Sequence, residues 1–220
     1  MSEVDFITQV HQSTKRDYVK RVVEHDKAAC AEAALGWGEA YWDGDRSTGY
    51  GGYRYDGRWR PIAEKIVAHY DLAPDAKILN IGCGKAFLLY EFTQVLPNAT
   101  VRGIDISAYA IEHAKEEVRP YLQVGRAEEL PFDDNEFDLV ISINTLHNLY
   151  VDQLWAALGH MQRVGGGAKW LNIEAYRNER EKANLLYWQL TCRAFHTPDE
   201  WRWMFEQTGY AGDYSFIYFE

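Results

Sequence analysis

From about Lys77 to Glu174, short β-branched runs alternate with longer amphipathic stretches, a rhythm that predicts βα units wound around a parallel sheet. Strands are expected over residues 77–81, 100–104, near 121–124, over 137–143 and near 169–175. The run Phe137-Asp-Leu-Val-Ile-Ser-Ile143 is almost unbroken apolar sequence, which suits a central strand covered on both faces. Helices are expected between the strands. One spans 86–96 and is closed by Pro97; a second is capped by Ser107 and runs to about Arg119, before Pro120; a third spans 151–164, where Gly165-Gly-Gly167 punctuates the chain. Residues 179–193 and 198–208 read as two more helices. After Gly209 there is room for one clear strand, so the sheet either ends there or borrows a short strand near 192–196.

Ahead of the sheet, residues 3–35 read as one long helix with an approximate apolar stripe at Val10, Val19, Val22 and Val23. Residues 36–60 differ, because glycines alternate with Trp37, Tyr41, Trp42, Tyr50, Tyr53, Tyr55 and Trp59. Such a segment is expected to be a loop that packs by its rings, a candidate lid. The chain therefore divides into an N-terminal helix and aromatic lid over 1–60 and an α/β domain over 61–220.

Composition narrows the function. Asp and Glu number 33 against 23 Lys and Arg, a net charge of −10, which argues against nucleic acid as a partner because phosphate binding rests on clustered positive charge. Cys30, Cys83 and Cys192 lie far apart, so neither a disulfide framework nor a zinc site is expected, in keeping with a reducing cytoplasm. His147, Glu174 and His196 have no ligand-like spacing, and no metal is expected. Charges recur every few positions in the first thirty residues, so these read as neither a signal peptide nor a membrane span. A soluble cytoplasmic protein acting on a small molecule is the expectation.

The chemistry concentrates where strands end. Ile78-Leu-Asn-Ile-Gly82-Cys-Gly84-Lys-Ala86 sets a strand, a glycine turn and a helix in succession, letting backbone approach a ligand closely. About twenty residues on, Asp105 ends the second strand, where a carboxylate can accept both hydroxyls of a ribose. Together they point to an adenosine-type cofactor.

The next segments, Gly125-Arg-Ala-Glu-Glu-Leu-Pro-Phe132 and Asp133-Asp-Asn-Glu-Phe-Asp-Leu-Val-Ile-Ser142, complete an ordered set that resembles the class I S-adenosylmethionine (SAM)-dependent methyltransferases over roughly residues 60–180. The resemblance implies a Rossmann-like fold with helices on both faces of the sheet, and SAM as cofactor. It places Asn80, Gly82 and Gly84 against the methionine portion, Asp105 on the ribose, Ile106 on the adenine and Ala127 at the adenine edge. Asn144 and Thr145 would face the amino group and the sulfonium. Three positions depart from the pattern: Asn80 stands where an acid is usual, Ala86 replaces a third glycine, and Arg126 replaces an Asp that contacts adenine.

Rings stabilise a sulfonium through their quadrupole, and Tyr50, Tyr53, Trp59 and Tyr176 are candidates for a cage. Arg54 and Arg58 could pair with a carboxylate of SAM or of an acidic substrate. His147, after the central strand, is a candidate proton acceptor, with Glu174 and Tyr176 as alternative polar contacts. The expected reaction is methyl transfer to a nitrogen or oxygen of a small molecule. A second reading is an enzyme that acts on SAM alone, closing it to azetidine-2-carboxylate with loss of methylthioadenosine. A third is a non-catalytic SAM-binding partner protein.

Overall fold

A computed structural model describes residues 1–12 and 16–220. Its centre is a six-stranded sheet of order β3-β2-β1-β4-β5-β6, in which every strand pairs parallel to its neighbour. The strands are β1 (Lys77–Ile81), β2 (Thr100–Asp105), β3 (Leu122–Val124), β4 (Phe137–Ile143), β5 (Gly165–Glu174) and β6 (Asp213–Ile217). The helices are α1 (Thr8–Gln12), α2 (Tyr18–Val23), α3 (Lys27–Leu35), α4 (Glu39–Trp42), α5 (Arg60–Tyr70), α6 (Phe87–Val95), α7 (Ala108–Glu112), α8 (Val151–Val164), α9 (Glu179–Trp188) and α10 (Pro198–Thr208).

Alternation along the strands builds two cores. Leu79 and Ile81 of β1, with Leu171 and Ile173 of β5, pack against Leu154, Leu158 and Met161 of α8 and Trp201 and Phe205 of α10. Ile78, Leu139, Ile141 and Trp170 point the other way, onto Ile62 and Ile66 of α5 and Leu89 and Phe92 of α6. This is the period-two consequence of a strand buried on both faces.

Several boundaries differ from expectation for identifiable reasons. The long N-terminal helix is broken: Asp17 and Asp26 turn to extended backbone, and their carboxylates accept from the first amides of α2 and α3. The expected valine stripe is not one core face: Val10 packs on the core, but Val19 and Val23 are 61% and 75% exposed. The part of that expectation at 13–15 lies outside the described residues. The helix after Ser107 ends at Glu112, well before Arg119. Gly165–Gly167 belong to β5 rather than to a break before it, because Cβ atoms there would strike Val140, Asn135 and Asp138, so bare backbone lets the strand start beside β4. Residues 192–196 form no strand, and the backbone amides of Arg193 and Ala194 instead donate to the His147 carbonyl.

The open edge of β6 is covered by the N-terminus. Glu3 bridges Tyr214 in parallel, with Val4 N donating to the Tyr214 carbonyl and Tyr214 N to that of Ser2. Phe6, buried, meets Trp170 edge to face with ring centroids 5.1 Å apart. Unpaired edge groups are thereby removed from solvent.

Candidate active site

The site forms where the carboxyl ends of β1, β2, β4 and β5 face the aromatic loop. After β1 the chain turns sharply: Gly82 (φ 72°), Gly84 (φ 54°) and Ala86 (φ 57°) all adopt left-handed backbone. A Cβ on Gly82 would lie 2.0 Å from Thr145 Oγ1, and one on Gly84 would lie 2.7 Å from the Trp42 ring, so glycine is required at both places. Ala86 bears the conformation that a third glycine would relieve, with its methyl fully buried in the core.

Asp105 locks this turn. Its carboxylate accepts from Gly84 N at 2.7 Å and from Ser107 N at 2.8 Å, and it is almost fully buried. Burial pushes its pKa up, and the two backbone donors oppose that. Each carboxylate oxygen keeps acceptor capacity beyond the one amide it receives.

The loop is docked onto the turn. Trp42, buried, donates from Nε1 to Ser107 Oγ at 2.9 Å. Lys85 Nζ reaches both Asp43 oxygens at 2.6 and 2.7 Å, and Tyr109 donates to the same carboxylate. Further along, Tyr55 and Arg60 both donate to Glu91, whose side chain is fully buried.

Two cavities meet beneath this loop. One, of about 240 Å³, is lined by Asp105, Ile106, Ala127, Glu128, Leu149 and Tyr150. The other, of about 420 Å³, is lined by Asn80, Tyr53, Phe87, His147, Glu174 and Trp188, among others. Tyr41, Trp42, Tyr50, Gly82 and Asn144 border both, so the two form one continuous binding region. Ring stacking shapes the junction: Trp42 lies on Tyr50 at 5.4 Å and 11°, and Tyr53 lies on Phe87 at 5.0 Å and 24°.

Buried polar groups gather in the larger cavity. His147 and Glu174 are 2% and 3% exposed, and His147 Nε2 stands 3.5 Å from Glu174 Oε2. The backbone amide of Glu174 donates to His147 Nδ1, and Gln189 donates to Glu174 Oε1. Burial lowers the His147 pKa to about 3, so the ring is neutral. Burial raises Glu174 to about 8, a shift only partly opposed by Gln189, Cys192 and Arg16. At neutral pH both partners are therefore largely uncharged, and their contact is no ion pair. Among the described residues, Asn80 Oδ1, Asn144 Oδ1 and Glu174 Oε2 are buried without a hydrogen-bond partner.

The structure brings most of the sequence candidates together. Asn80, Gly82, Gly84, Tyr53, Arg58, Asn144 and His147 line the larger cavity, and Asp105, Ile106 and Ala127 the smaller. Ile106 is 45% exposed, which excludes the simple core role an isoleucine usually has. Arg58 is held by Asp56 through both carboxylate oxygens at 2.5–2.9 Å, so it is already paired. Tyr176 lines neither cavity; it packs against Leu185, Ile217 and Phe219 with Lys182 over its ring. Arg126 turns to Glu128, donating from Nε at 2.7 Å. Gln189 and Trp188 carried no motif and enter the site only through tertiary packing.

A parallel sheet of this order, with a glycine turn after the first strand and an acid closing the second, defines the class I SAM-dependent methyltransferase fold. Residues 78–165 match the family described as "Methyltransferase domain". It is 38% identical over 128 residues to a demethylmenaquinone methyltransferase of Symbiobacterium thermophilum, a match covering 54% of this chain and 50% of that one. The chain thus spans about half the length of that curated relative. Among solved structures it is similar to YcgJ of Bacillus subtilis, with TM-score 0.56, 21% identity and 66% of each chain covered. It is also similar to a geranyl diphosphate methyltransferase solved in complex with SAM, with TM-score 0.54, 17% identity and 68% of this chain and 64% of that one covered. No helix among the described residues is long and apolar enough to cross a membrane.

Proposed function

We propose that this chain transfers the methyl group of SAM to a nitrogen or oxygen of a small molecule. The observation that carries the reading is the pair of cavities meeting at Gly82 and Asn144, one suited to a nucleoside and the other holding a buried titratable carboxyl.

The residues present fit SAM. Asp105 has acceptor capacity left for ribose hydroxyls, Ile106 supplies an apolar face for adenine, and Ala127 and Glu128 border its edge. Asn80 Oδ1 and Asn144 Oδ1 are buried acceptors in need of donors, which the α-ammonium of a methionine moiety provides. The neutral Asn80 in place of the usual acid makes this a hydrogen bond rather than an ion pair. Trp42, Tyr50 and Tyr53 set ring faces where a sulfonium belongs. Arg54, exposed and without hydrogen bond or ion pair among the described residues, is better placed than the paired Arg58 to meet the carboxylate.

When bound, SAM supplies an electrophilic methyl carbon beside its sulfonium. This chain's part is to orient the nucleophile, exclude water and receive a proton. Glu174, with its pKa near 8, takes that proton when ionised, and the neutral His147 beside it is a positioning residue. The demethylmenaquinone enzymes it resembles act, by their name, on another acceptor; a hydroxyl or amine is the acceptor that a carboxyl base suits here.

Mass analysis of products tests the reading. S-adenosylhomocysteine formed only when an acceptor pool is added supports transfer. Methylthioadenosine from SAM alone would assign self-cyclisation instead, and binding without any turnover would make the chain a SAM-binding partner.

A further inference from the structure

The larger cavity carries the opposite charge to the molecule. In a chain of net charge −10 it is lined by Arg16, Arg21, Arg46, Arg54 and Arg58, against the carboxyl groups of Asp56 and Glu174. Arg58 and Asp56 neutralise each other. Glu174 stays largely protonated at neutral pH, and the histidines in the lining, His11 and His147, are held uncharged by burial. Arg21, Arg46 and Arg54 then set a positive field inside a partly enclosed space, the arrangement that concentrates an anion.

That charge is focused on one side chain. The guanidinium carbons of Arg21, Arg46 and Arg16 stand 4.6, 5.3 and 5.4 Å from the ring centroid of Trp188. Three elements converge there: α2, the aromatic loop and the end of α9. Arg21 Nε donates to the Trp188 carbonyl at 2.7 Å and its Nη1 to the Arg46 carbonyl at 3.1 Å. Arg46 Nη1 donates to the carbonyls of Gly49 and Tyr50. These contacts fix where the guanidinium groups stand without neutralising them, because a carbonyl carries no net charge. Neither Arg21 nor Arg46 has a carboxylate within 4.0 Å among the described residues. Arg21 and Arg46, like charges held close together with N–H donors remaining, form a seat that an anion fits.

Resting on the methyl-transfer reading above, we propose that Arg21 and Arg46, gathered at Trp188, seat a phosphoryl group of the acceptor, so that the substrate is a phosphorylated small molecule. A phosphate ester carries about −1.5 to −2 charges at neutral pH, which answers several guanidinium groups better than one carboxylate does. The cluster belongs to the acceptor end, since Trp188 adjoins Gln189, whose amide binds Glu174. The cofactor end is marked instead by the glycine turn, Asn80 and Tyr53.

The test is calorimetric titration of the S-adenosylhomocysteine-loaded chain with inorganic pyrophosphate, alongside a separate titration of the free chain with SAM. Saturable pyrophosphate binding that weakens tenfold or more in Arg21→Gln and in Arg46→Gln, while SAM affinity stays within twofold, supports the inference. Absence of binding to the loaded wild-type chain overturns it, and this arm needs no variant to fold. Malonate binding as tightly as pyrophosphate would reassign the site to carboxylates and overturn it too. Loss of SAM affinity in either variant would overturn it by giving the cluster to the cofactor. Should wild type fail to bind SAM, the methyl-transfer reading fails on its own, whatever pyrophosphate does.

Discussion

Glu174 joins stability and chemistry in one carboxyl group. Its pKa is raised in the folded chain from 4.5 to about 8, so between those values the folded state holds a proton that the unfolded state has released. Stability therefore falls as pH rises through that window, by at most about 1.4 kcal/mol per pH unit, and levels off above it. Urea denaturation from pH 5 to 8 should show this slope in wild type and a shallower one in Glu174→Gln. The same ionisation should make kcat rise toward pH 8, and Glu174→Gln should lower kcat roughly 10²- to 10⁴-fold while sparing SAM binding. This residue was visible in the sequence only as an alternative polar contact, and His147 as a candidate proton acceptor whose burial had no local signal. Burial explains the gap: 27 positions separate the two, and packing of the 189–194 segment, not local pattern, removes both from water. Gly82, Gly84 and Asp105 were legible because their roles depend on backbone conformation and strand position, which local sequence encodes.

The aromatic loop is held to the glycine turn by one charged contact and several rings. Lys85 is 6% exposed in its side chain and Asp43 26%, so removing the acid strands a buried ammonium. Asp43→Ala should cost about 1–3 kcal/mol in chemical denaturation, less than a wholly buried pair because water reaches Asp43. It should also weaken SAM binding, since the loop lines both cavities. Lys85→Met, which removes the stranded charge, should be milder than Asp43→Ala in the same denaturation experiment. At this scale the sequence was read well where periodicity was long. β1, β4, α8 and α10 fall at their expected bounds. It failed where short-range capping competes with helical pattern, at Asp17 and Asp26, and where glycines serve a strand rather than end it, at Gly165–Gly167.

Across the whole molecule, the segment matching the methyltransferase family supplies most of the lining of the smaller cavity, while the residues flanking it supply the aromatic loop, the arginine cluster and Trp188. The N-terminus also closes the sheet edge, on the face away from α8 and α10. Phe6→Ala should cost about 3 kcal/mol in chemical denaturation, through a cavity left beside Trp170. The six-strand count matches the single terminal strand the sequence allowed. The covering of β6 by residues 2–4 had no local signal, since pairing partners 211 positions apart leave no periodic mark. The whole account depends on one carboxylate gripping a ribose beside the glycine turn, and titration of wild type and Asp105→Ala with SAM tests that directly. A loss of about 1.5–3 kcal/mol, roughly 10- to 150-fold in Kd, is the expected result. An unchanged Kd would contradict it.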